Sequence, residues 1–322
     1  MYLQLVSAKQ KDKWMSAIDE SDKALENSSN SKKLVTKKSV PKVLTALGLT
    51  SISIYSFACV GLWFGQTRFI FKPTHTVTTT PAEAYKLTFQ DLYLPVKLEN
   101  GSIEKIHGWW IPSANKDAQV LLYLHGNGKN MQANLEHANR LHKLGFSILM
   151  IDYRGYGLSD GGFPSESGVY IDAQTAWDYL TQQQQINPKQ IVIYGHSLGG
   201  AIAIDLASKH PDAAGLIVES SFTSMRDMVY RDPKFSIFPV DLLLNQKFDS
   251  IHKVTTLKMP VLYIHGTEDE LIPASMSQQL FDTTLTSKQL LLIPNGKHNN
   301  NAVVGGSVYL QAVQNFAQKV KT

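Results

Sequence analysis

The segment GHSLG at positions 195–199 is the first place in this 322-residue sequence where the residue types can support chemistry. An apolar run, IVIY, precedes it, and the helix-like AIAIDLAS follows shortly after. A serine flanked by glycines at a strand-to-helix turn can adopt a tight elbow that exposes its hydroxyl, and a Cβ at either glycine would collide with neighbouring backbone. We predict that Ser197 is a nucleophile. The competing interpretation is a glycine-rich turn with an idle serine.

A serine hydroxyl needs a base to remove its proton before it attacks efficiently. Around elbows of this type the partners follow in the order serine, acid, histidine. Of the ten histidines, only His298 follows every plausible acid, in the polar loop NGKHNNN. His125, His196 and His265 adjoin strand-end glycines, where packing or loop hydrogen bonding is the expected role. We therefore predict that His298 is the general base.

The acid is expected in VLYIHGTEDELIP, which supplies Glu268, Asp269 and Glu270 after an apolar run. Spacing alone does not choose among these three carboxylates. A short side chain at the crest of the loop best suits a fixed carboxylate that holds one imidazole tautomer, which favours Asp269. The other two are interpreted as solvated loop charges.

Attack on a carbonyl places negative charge on its oxygen, and two preorganised backbone N–H groups can stabilise that charge. We predict that Leu198 supplies one, at the start of the helix after the nucleophile, where the helix dipole adds to the effect. The other is expected in the loop HGNG at 125–128, with the Asn127 N–H as the donor and Gly128 as the alternative.

These groups need secondary structure that carries them to one place. After Pro73 short apolar runs alternate with helical stretches, which is typical of βα units in a mostly parallel, doubly wound sheet. Paired edge strands are predicted at 87–96 and 104–111, buried strands at 120–124, 147–151, 190–194, 215–218, 260–264 and 289–293, and helices at 131–144, 168–184, 198–209, 274–284 and 305–320. One catalytic domain is predicted over 73–322, with a short lid at about 222–258.

An uncharged apolar run occupies positions 43–64. Because about 20 helical residues span the hydrocarbon layer of a bilayer, a single transmembrane helix is predicted at 43–65. A buried core helix and a cleaved signal peptide are the alternatives. Residues 1–42 form a polar, lysine-rich tail, in which ENSSNSKK is typical of a solvated, mobile chain.

The charges beside this run predict its orientation. Five lysines stand close before it and two basic residues close after it, at Lys32, Lys33, Lys37, Lys38 and Lys42 and at Arg68 and Lys72 respectively. The positive-inside rule then places the N-terminus in the cytoplasm and the catalytic domain on the non-cytoplasmic side.

Composition excludes several other classes. Nine lysines and five acidic residues in 1–42 account for the whole formal charge of +4, since the remainder holds 22 of the 31 basic and 22 of the 27 acidic residues. A neutral body without a basic stripe does not favour nucleic-acid binding. The single cysteine, Cys59, excludes an internal disulfide framework and a cysteine-rich zinc site.

Six blocks of the sequence resemble a known family: LYLHGNGKN, MIDYRGYGLSDG, YGHSLGGAIAIDLA, ESSFTSM, HGTEDELIP and PNGKH. They are similar to the blocks of single-pass, membrane-anchored α/β-hydrolases of the abhydrolase-domain-containing group, close to the monoglyceride-lipase and serine-aminopeptidase-like branch. The resemblance covers roughly residues 80–320 and implies the α/β-hydrolase fold. It implies a triad of Ser197, Asp269 and His298, which settles the choice of acid. The HGNG segment is shorter than in many relatives.

The resemblance implies hydrolysis of an ester, thioester or amide. We expect a lipid or acyl-type ester or thioester to be cleaved through an acyl-enzyme, with no metal or organic cofactor. A peptidase or amidase of the same fold and a catalytically silent membrane scaffold are the alternatives.

Structural roles are predicted for two further groups of residues. Arg154 and Asp152 are expected to pair and brace the loop beside the elbow, with binding of an anionic substrate by Arg154 as the alternative. Trp109, Trp110 and Phe222 are either the lining of an acyl pocket or simply part of the core.

Overall fold

The computed structural model describes residues 8–36 and 40–321, and the chain divides into two compact units, Met1–Gly61 and Leu62–Thr322. Helix α1 occupies Ala8–Thr36, and helix α2 runs from Val40 to Ile70. The predicted polar tail therefore includes a helix over 8–36. Alanine, lysine, glutamate, glutamine and leucine have high helix propensity, and they outweigh the serines and asparagines of ENSSNSKK. Lys37 and Lys38 of the predicted charge cluster lie outside the described residues.

Helix α2 contains the predicted membrane helix. Among the residues that the structure describes, one stretch is long and apolar enough to cross a bilayer, the 27 residues Leu44–Ile70. The most apolar part of this stretch is not buried against the rest of the protein. By length and composition this stretch fits a membrane anchor.

The second unit is built on an eight-stranded sheet. Its strands are β2 (Gln90–Lys97), β3 (Ile103–Ile111), β4 (Val120–Leu124), β6 (Ser147–Ile151), β7 (Ile191–His196), β8 (Gly215–Glu219), β9 (Val261–Gly266) and β10 (Lys288–Ile293). Their order in the sheet is β10-β9-β8-β7-β4-β6-β3-β2. A separate short pair joins β1 (Lys72–Pro73) to β5 (Gly128–Lys129). All neighbours from β10 to β6 are parallel, whereas β3 pairs antiparallel with both β6 and β2.

The helices of this unit cover the sheet and its edges. They are α3 (Pro81–Tyr85), α4 (Leu135–Lys143), α5 (Glu166–Asp178), α6 (Leu198–Lys209), α7 (Met225–Tyr230), α8 (Val240–Leu243), α9 (Ser250–Lys253), α10 (Ala274–Thr283) and α11 (Asn301–Val320), the last with a kink at Gly306. Strands β4, β6, β7, β8 and β9 are buried along their whole length. Buried apolar clusters pack on the sheet, and a core on both faces explains why these strands read as continuous apolar runs.

The predicted doubly wound α/β-hydrolase fold is confirmed, and every predicted strand is present with ends shifted by a few residues. The segment between β8 and β9, where a short lid is predicted, consists of helices α7, α8 and α9 with short 3-10 turns. An Arg226–Asp241 ion pair links α7 to α8.

Candidate active site

Ser197 lies at a sharp turn between strand β7 and helix α6, with φ 57° and ψ −122°. Such a backbone is strained for a residue with a side chain, and neighbouring contacts must hold it. The Ser197 N–H donates to the Glu219 carbonyl at 2.8 Å, and the Ser221 hydroxyl donates to the Ser197 carbonyl at 2.8 Å. Strand β8 and the residues after it therefore hold the elbow.

The glycines on either side of Ser197 are required by close backbone approach. A Cβ at Gly195 would lie 2.1 Å from the carbonyl oxygen of Gly199, and one at Gly199 would lie 2.1 Å from that of Leu124. No side chain can relieve these contacts because both partners are backbone atoms. Both glycines of the predicted elbow are therefore required by backbone contact.

The structure brings the three predicted catalytic residues together. His298 Nε2 lies 2.9 Å from Ser197 Oγ, and His298 Nδ1 lies 2.8 Å from Asp269 Oδ2. Parallel strands deliver all three residues to one edge of the sheet, since Asp269 follows β9 and His298 follows β10. An imidazole that donates through Nδ1 to the carboxylate keeps Nε2 free to accept the serine proton.

The Asp269 carboxylate is held on both oxygens. Oδ1 accepts the backbone N–H groups of Leu271 at 3.0 Å and Ile272 at 2.9 Å, whereas Oδ2 faces His298 and lies 3.2 Å from His265 Nε2. Burial by itself raises the pKa of Asp269, but hydrogen bonds from His265, His298 and the Ile272 N–H outweigh it and hold that pKa well below the usual range. The neighbouring Glu268 and Glu270 are exposed, as expected for loop charges.

Two histidines support this constellation through packing and loop hydrogen bonds, the role that their positions beside strand-end glycines predict. His265 is fully buried between the Ser277 hydroxyl at 2.6 Å and the Ile272 carbonyl at 2.8 Å, and it reaches Asp269 from there. His196 Nε2 lies 2.9 Å from the His298 carbonyl oxygen, so it anchors the loop that carries the base. His265 and Asp269 are four residues apart in the sequence, but spacing within a loop does not predict whether two side chains touch.

Burial lowers the pKa of His196 to about 4, with the nearby Glu219 opposing that effect. His196 is therefore neutral at pH 7, which suits a residue that donates one N–H to a carbonyl.

The predicted oxyanion donors belong to two segments that border Ser197. Leu198 is the first residue of helix α6. A Cβ at Gly126 would lie 3.2 Å from the Ser197 Cβ, which places the loop after β4 directly against the elbow. The next residue, Asn127, is held by its own polar atoms: its carbonyl accepts from the Lys72 N–H at 3.0 Å and the Tyr156 hydroxyl at 2.8 Å, and its side chain donates to the Ile70 carbonyl at 2.7 Å. None of these bonds uses the Asn127 N–H.

A cavity of about 430 Å³ opens beside Ser197 and His298. Most of its described lining is polar, including Tyr123, His137, Glu219, Lys129, Glu136 and Arg140. Trp109 and Phe222 lie instead in the buried core, and neither they nor Trp110 are among the described residues that line this cavity. The structure therefore favours the core interpretation of the three aromatic residues.

The inner wall of the cavity is a hydrogen-bonded network around Glu219. The Glu219 carboxylate accepts from the hydroxyls of Tyr194 at 2.6 Å and Tyr309 at 2.7 Å and from the Asn301 amide at 3.1 Å. His137 Nε2 lies 2.8 Å from the Tyr309 hydroxyl. Burial by itself raises the pKa of Glu219, but His137, His196 and the tyrosine hydroxyls lower it below its usual value, so a buried anion borders the site.

The prediction that Arg154 pairs with Asp152 is wrong. Arg154 Nε lies 2.6 Å from Asp172, and its Nη1 lies 3.2 Å from Glu104. Asp152 is fully buried and turns the other way, accepting the Met131 N–H at 2.7 Å. The two side chains leave the loop in different directions, which spacing in the sequence does not reveal.

Solved structures share this fold. An esterase of Pyrococcus furiosus aligns with a TM-score of 0.63 and 19% identity over 79% of this chain and 98% of the esterase. Est1E of Butyrivibrio proteoclasticus, solved with ferulic acid bound, aligns with a TM-score of 0.56 and 19% identity over 71% of this chain and 98% of Est1E.

Sequence comparisons identify closer relatives. Residues 115–253 match the family described as Hydrolase_4: Serine aminopeptidase, S33. An uncharacterised protein of Mycobacterium tuberculosis is 30% identical over 85% of this chain and 93% of its own length. Protein bem46 of Schizosaccharomyces pombe is 37% identical over 61% of this chain and 66% of bem46. The α/β hydrolase domain-containing protein WAV2 of Arabidopsis thaliana is 29% identical over 74% and 82%. The fold, the elbow and these relatives together establish that the chain belongs to the α/β-hydrolase family, within its serine aminopeptidase S33 group.

Proposed function

We propose that this protein is a serine hydrolase that cleaves a carboxylic ester or thioester through an acyl-enzyme. The observation that carries the proposal is the continuous series of contacts from Asp269 through His298 to Ser197, at 2.8 Å and 2.9 Å, beside an accessible cavity. Its order matches the requirement that a carboxylate orients a base and the base activates a hydroxyl.

In the acylation step Ser197 Oγ attacks the substrate carbonyl carbon while His298 Nε2 takes the hydroxyl proton. The ionised Asp269 stabilises the resulting imidazolium and holds its Nδ1–H. The backbone N–H groups of Leu198 and Asn127 stabilise the negative charge on the carbonyl oxygen. His298 then donates the proton to the leaving alcohol or thiol, and the acyl group stays on Ser197.

Deacylation repeats the sequence with water. His298 removes a proton from a water molecule, the hydroxide attacks the acyl carbon, and the proton returns to Ser197 Oγ as the carboxylic acid leaves. These steps use the side chains and backbone groups of this chain, and each proton is accounted for at His298 Nε2.

Ester or thioester cleavage is better supported than peptide cleavage. Holding the amino terminus of a peptide needs a free carboxylate near the serine. Both acidic residues that line the cavity in the described part of the chain are already engaged: Glu219 by two tyrosines and an asparagine, and Glu136 by Arg140. The two solved neighbours described above are an esterase and a ferulic acid complex, which also favours an ester. A silent scaffold would not need the three residues in hydrogen-bonding order.

We also propose that residues 43–65 anchor the protein in a membrane, with the N-terminus cytoplasmic and the 73–322 catalytic domain on the other side. The apolar stretch Leu44–Ile70 and the excess of lysines before it support this arrangement. The proposed substrate is accordingly a lipid or acyl ester that the catalytic domain, with its short lid at about 222–258, meets at the bilayer.

The test of the catalytic proposal is covalent labelling of the full chain with a fluorophosphonate, which reports an activated serine without knowledge of the substrate. We expect the wild type to be labelled and Ser197→Ala to lose labelling. The control Ser208→Ala, in the helix α6 that follows the elbow, should keep it. A folded wild type that does not label, or Ser197→Ala that still labels, contradicts the proposal.

A further inference from the structure

An apolar groove of about 80 Å³ lies within the second compact unit, between the last turns of helix α2 and the segment 229–244. Apart from Gln66 its lining is entirely apolar, and consists of Leu62, Phe69, Ile70, Val229, Phe235, Phe238, Val240, Leu243 and Leu244. Large exposed apolar patches mark surfaces that contact a partner, a ligand or a membrane.

The end of helix α2 is fixed to this segment by the side chain of Gln66. Its Oε1 accepts the backbone N–H groups of Asn245 at 2.9 Å and Gln246 at 3.2 Å, and its Nε2 donates to the Leu243 carbonyl at 3.1 Å. The Asn245 side chain also donates to the Trp63 carbonyl at 3.3 Å. Gln66 is buried, so these bonds are shielded from water and hold Leu62–Ile70 and the segment 229–244 in one arrangement.

Several large apolar side chains of helix α2 and of the segment 229–244 point into solvent. Phe64 is 78% exposed, Phe69 61%, Ile237 68% and Leu242 76%. We call these four residues the apolar rim. Two basic residues of the same segment, Arg231 and Lys234, are also exposed; of its two acidic residues, Asp241 is exposed and pairs with Arg226, and Asp232 is half-buried. Exposed apolar side chains flanked by basic ones are typical of segments that lie at a membrane surface.

Chain continuity identifies what covers the apolar rim. The apolar residues 44–61 directly precede Leu62, and since a span needs about 20 residues, the edge of the hydrocarbon layer falls within about a turn of Phe64. The helical residues Leu62–Ile70 then extend only about 13 Å along the helix axis. The groove and the rim are attached to this stretch, so they lie at the depth of the lipid headgroups.

We propose that the segment 229–244 is a second membrane-contacting element, which lies in the bilayer interface beside the anchor. Ile237 and Leu242 enter the boundary between headgroups and acyl chains together with Phe64 and Phe69, and Arg231 and Lys234 face the phosphates. The proposal rests on the membrane anchor proposed above.

The test uses the full chain reconstituted in phosphatidylcholine–phosphatidylglycerol vesicles that contain spin-labelled lipids. A Cys59→Ser background removes the native thiol, and Ile237→Cys receives an environment-sensitive fluorophore. Leu285→Cys is the matched control, because Leu285 is 79% exposed in the loop before β10. We expect lipids labelled near the headgroup to quench the probe at position 237 several-fold more than the probe at 285.

A probe on the native Cys59 separates the two ways in which this can fail. Quenching at Cys59 without quenching at position 237 leaves the anchor intact and overturns the interfacial assignment. Absence of quenching at both positions overturns the anchor and the assignment together. An unquenched probe at 237 whose emission shifts with protein concentration shows that a second copy covers the rim, which also overturns the lipid assignment.

Discussion

Replacing Asp269 by asparagine tests the proposed triad with almost no change of shape. In the wild type, Oδ1 accepts two backbone N–H groups, from Leu271 and Ile272, while Oδ2 faces His298 Nδ1. The two N–H groups dictate how the amide must sit, because only its oxygen can accept them. The amide NH₂ is therefore aimed at His298.

The consequence is a reversed imidazole tautomer. An NH₂ group donates to Nδ1, so the proton of His298 moves to Nε2, where it faces Ser197 Oγ at 2.9 Å and blocks proton transfer. Loss of the correct tautomer and of the carboxylate charge costs about 10⁴ in kcat, equivalent to about 5.5 kcal/mol of barrier. Folding stability also falls, because the amide NH₂ cannot accept the hydrogen bonds that His265 and His298 make to Oδ2, so kcat is compared under conditions in which both proteins are folded.

The assay is hydrolysis of a p-nitrophenyl ester by the full chain, with kcat and KM measured separately at pH 7. We expect kcat to fall by about 10⁴ in Asp269→Asn, with KM within a few-fold. Glu270→Gln, an exposed neighbour, is the control and keeps wild-type kcat. A kcat for Asp269→Asn within tenfold of wild type refutes the role of Asp269 and leaves another group to orient the base.

Two further outcomes are expected. Gly195→Ala sets a Cβ 2.1 Å from the Gly199 carbonyl oxygen and is expected to lower the free energy of unfolding, measured in urea, by about 3 kcal/mol. Gly162→Ala, with nothing within 4 Å of its added Cβ, is the control, and similar losses in both variants contradict the steric explanation. His196 is buried with its pKa lowered to about 4, so the unfolded chain binds its proton first as pH falls. Protonation of His196 should therefore cost the wild type about 2 kcal/mol of unfolding free energy between pH 6.5 and pH 5, and His196→Asn should be spared this loss. If urea unfolding shows the same loss for both proteins over this pH range, the lowered pKa of His196 is refuted.

Local chemistry in the sequence determined the parts of the site that depend on neighbours in the chain. GHSLG between an apolar run and a helix predicted the elbow because its two glycines are required where backbone atoms approach closely. Continuous apolar runs predicted the buried strands because both faces of the sheet are covered. Asp269 and His298 were reached through the order of residues and a family resemblance, and spacing alone left Glu268 and Glu270 open.

Tertiary structure alone decided which distant side chains meet. The Glu219–Tyr309 and Glu219–Asn301 hydrogen bonds join residues 90 and 82 positions apart. The choice of Asp172 over Asp152 as the partner of Arg154 depends on how helix α5 packs against the sheet. The attachment of Gln66 to residues 243–246 crosses about 180 positions. Such contacts arise from the strand order and from helix packing, which no single stretch of sequence encodes. They form the inner wall of the cavity and attach the end of helix α2 to residues 243–246.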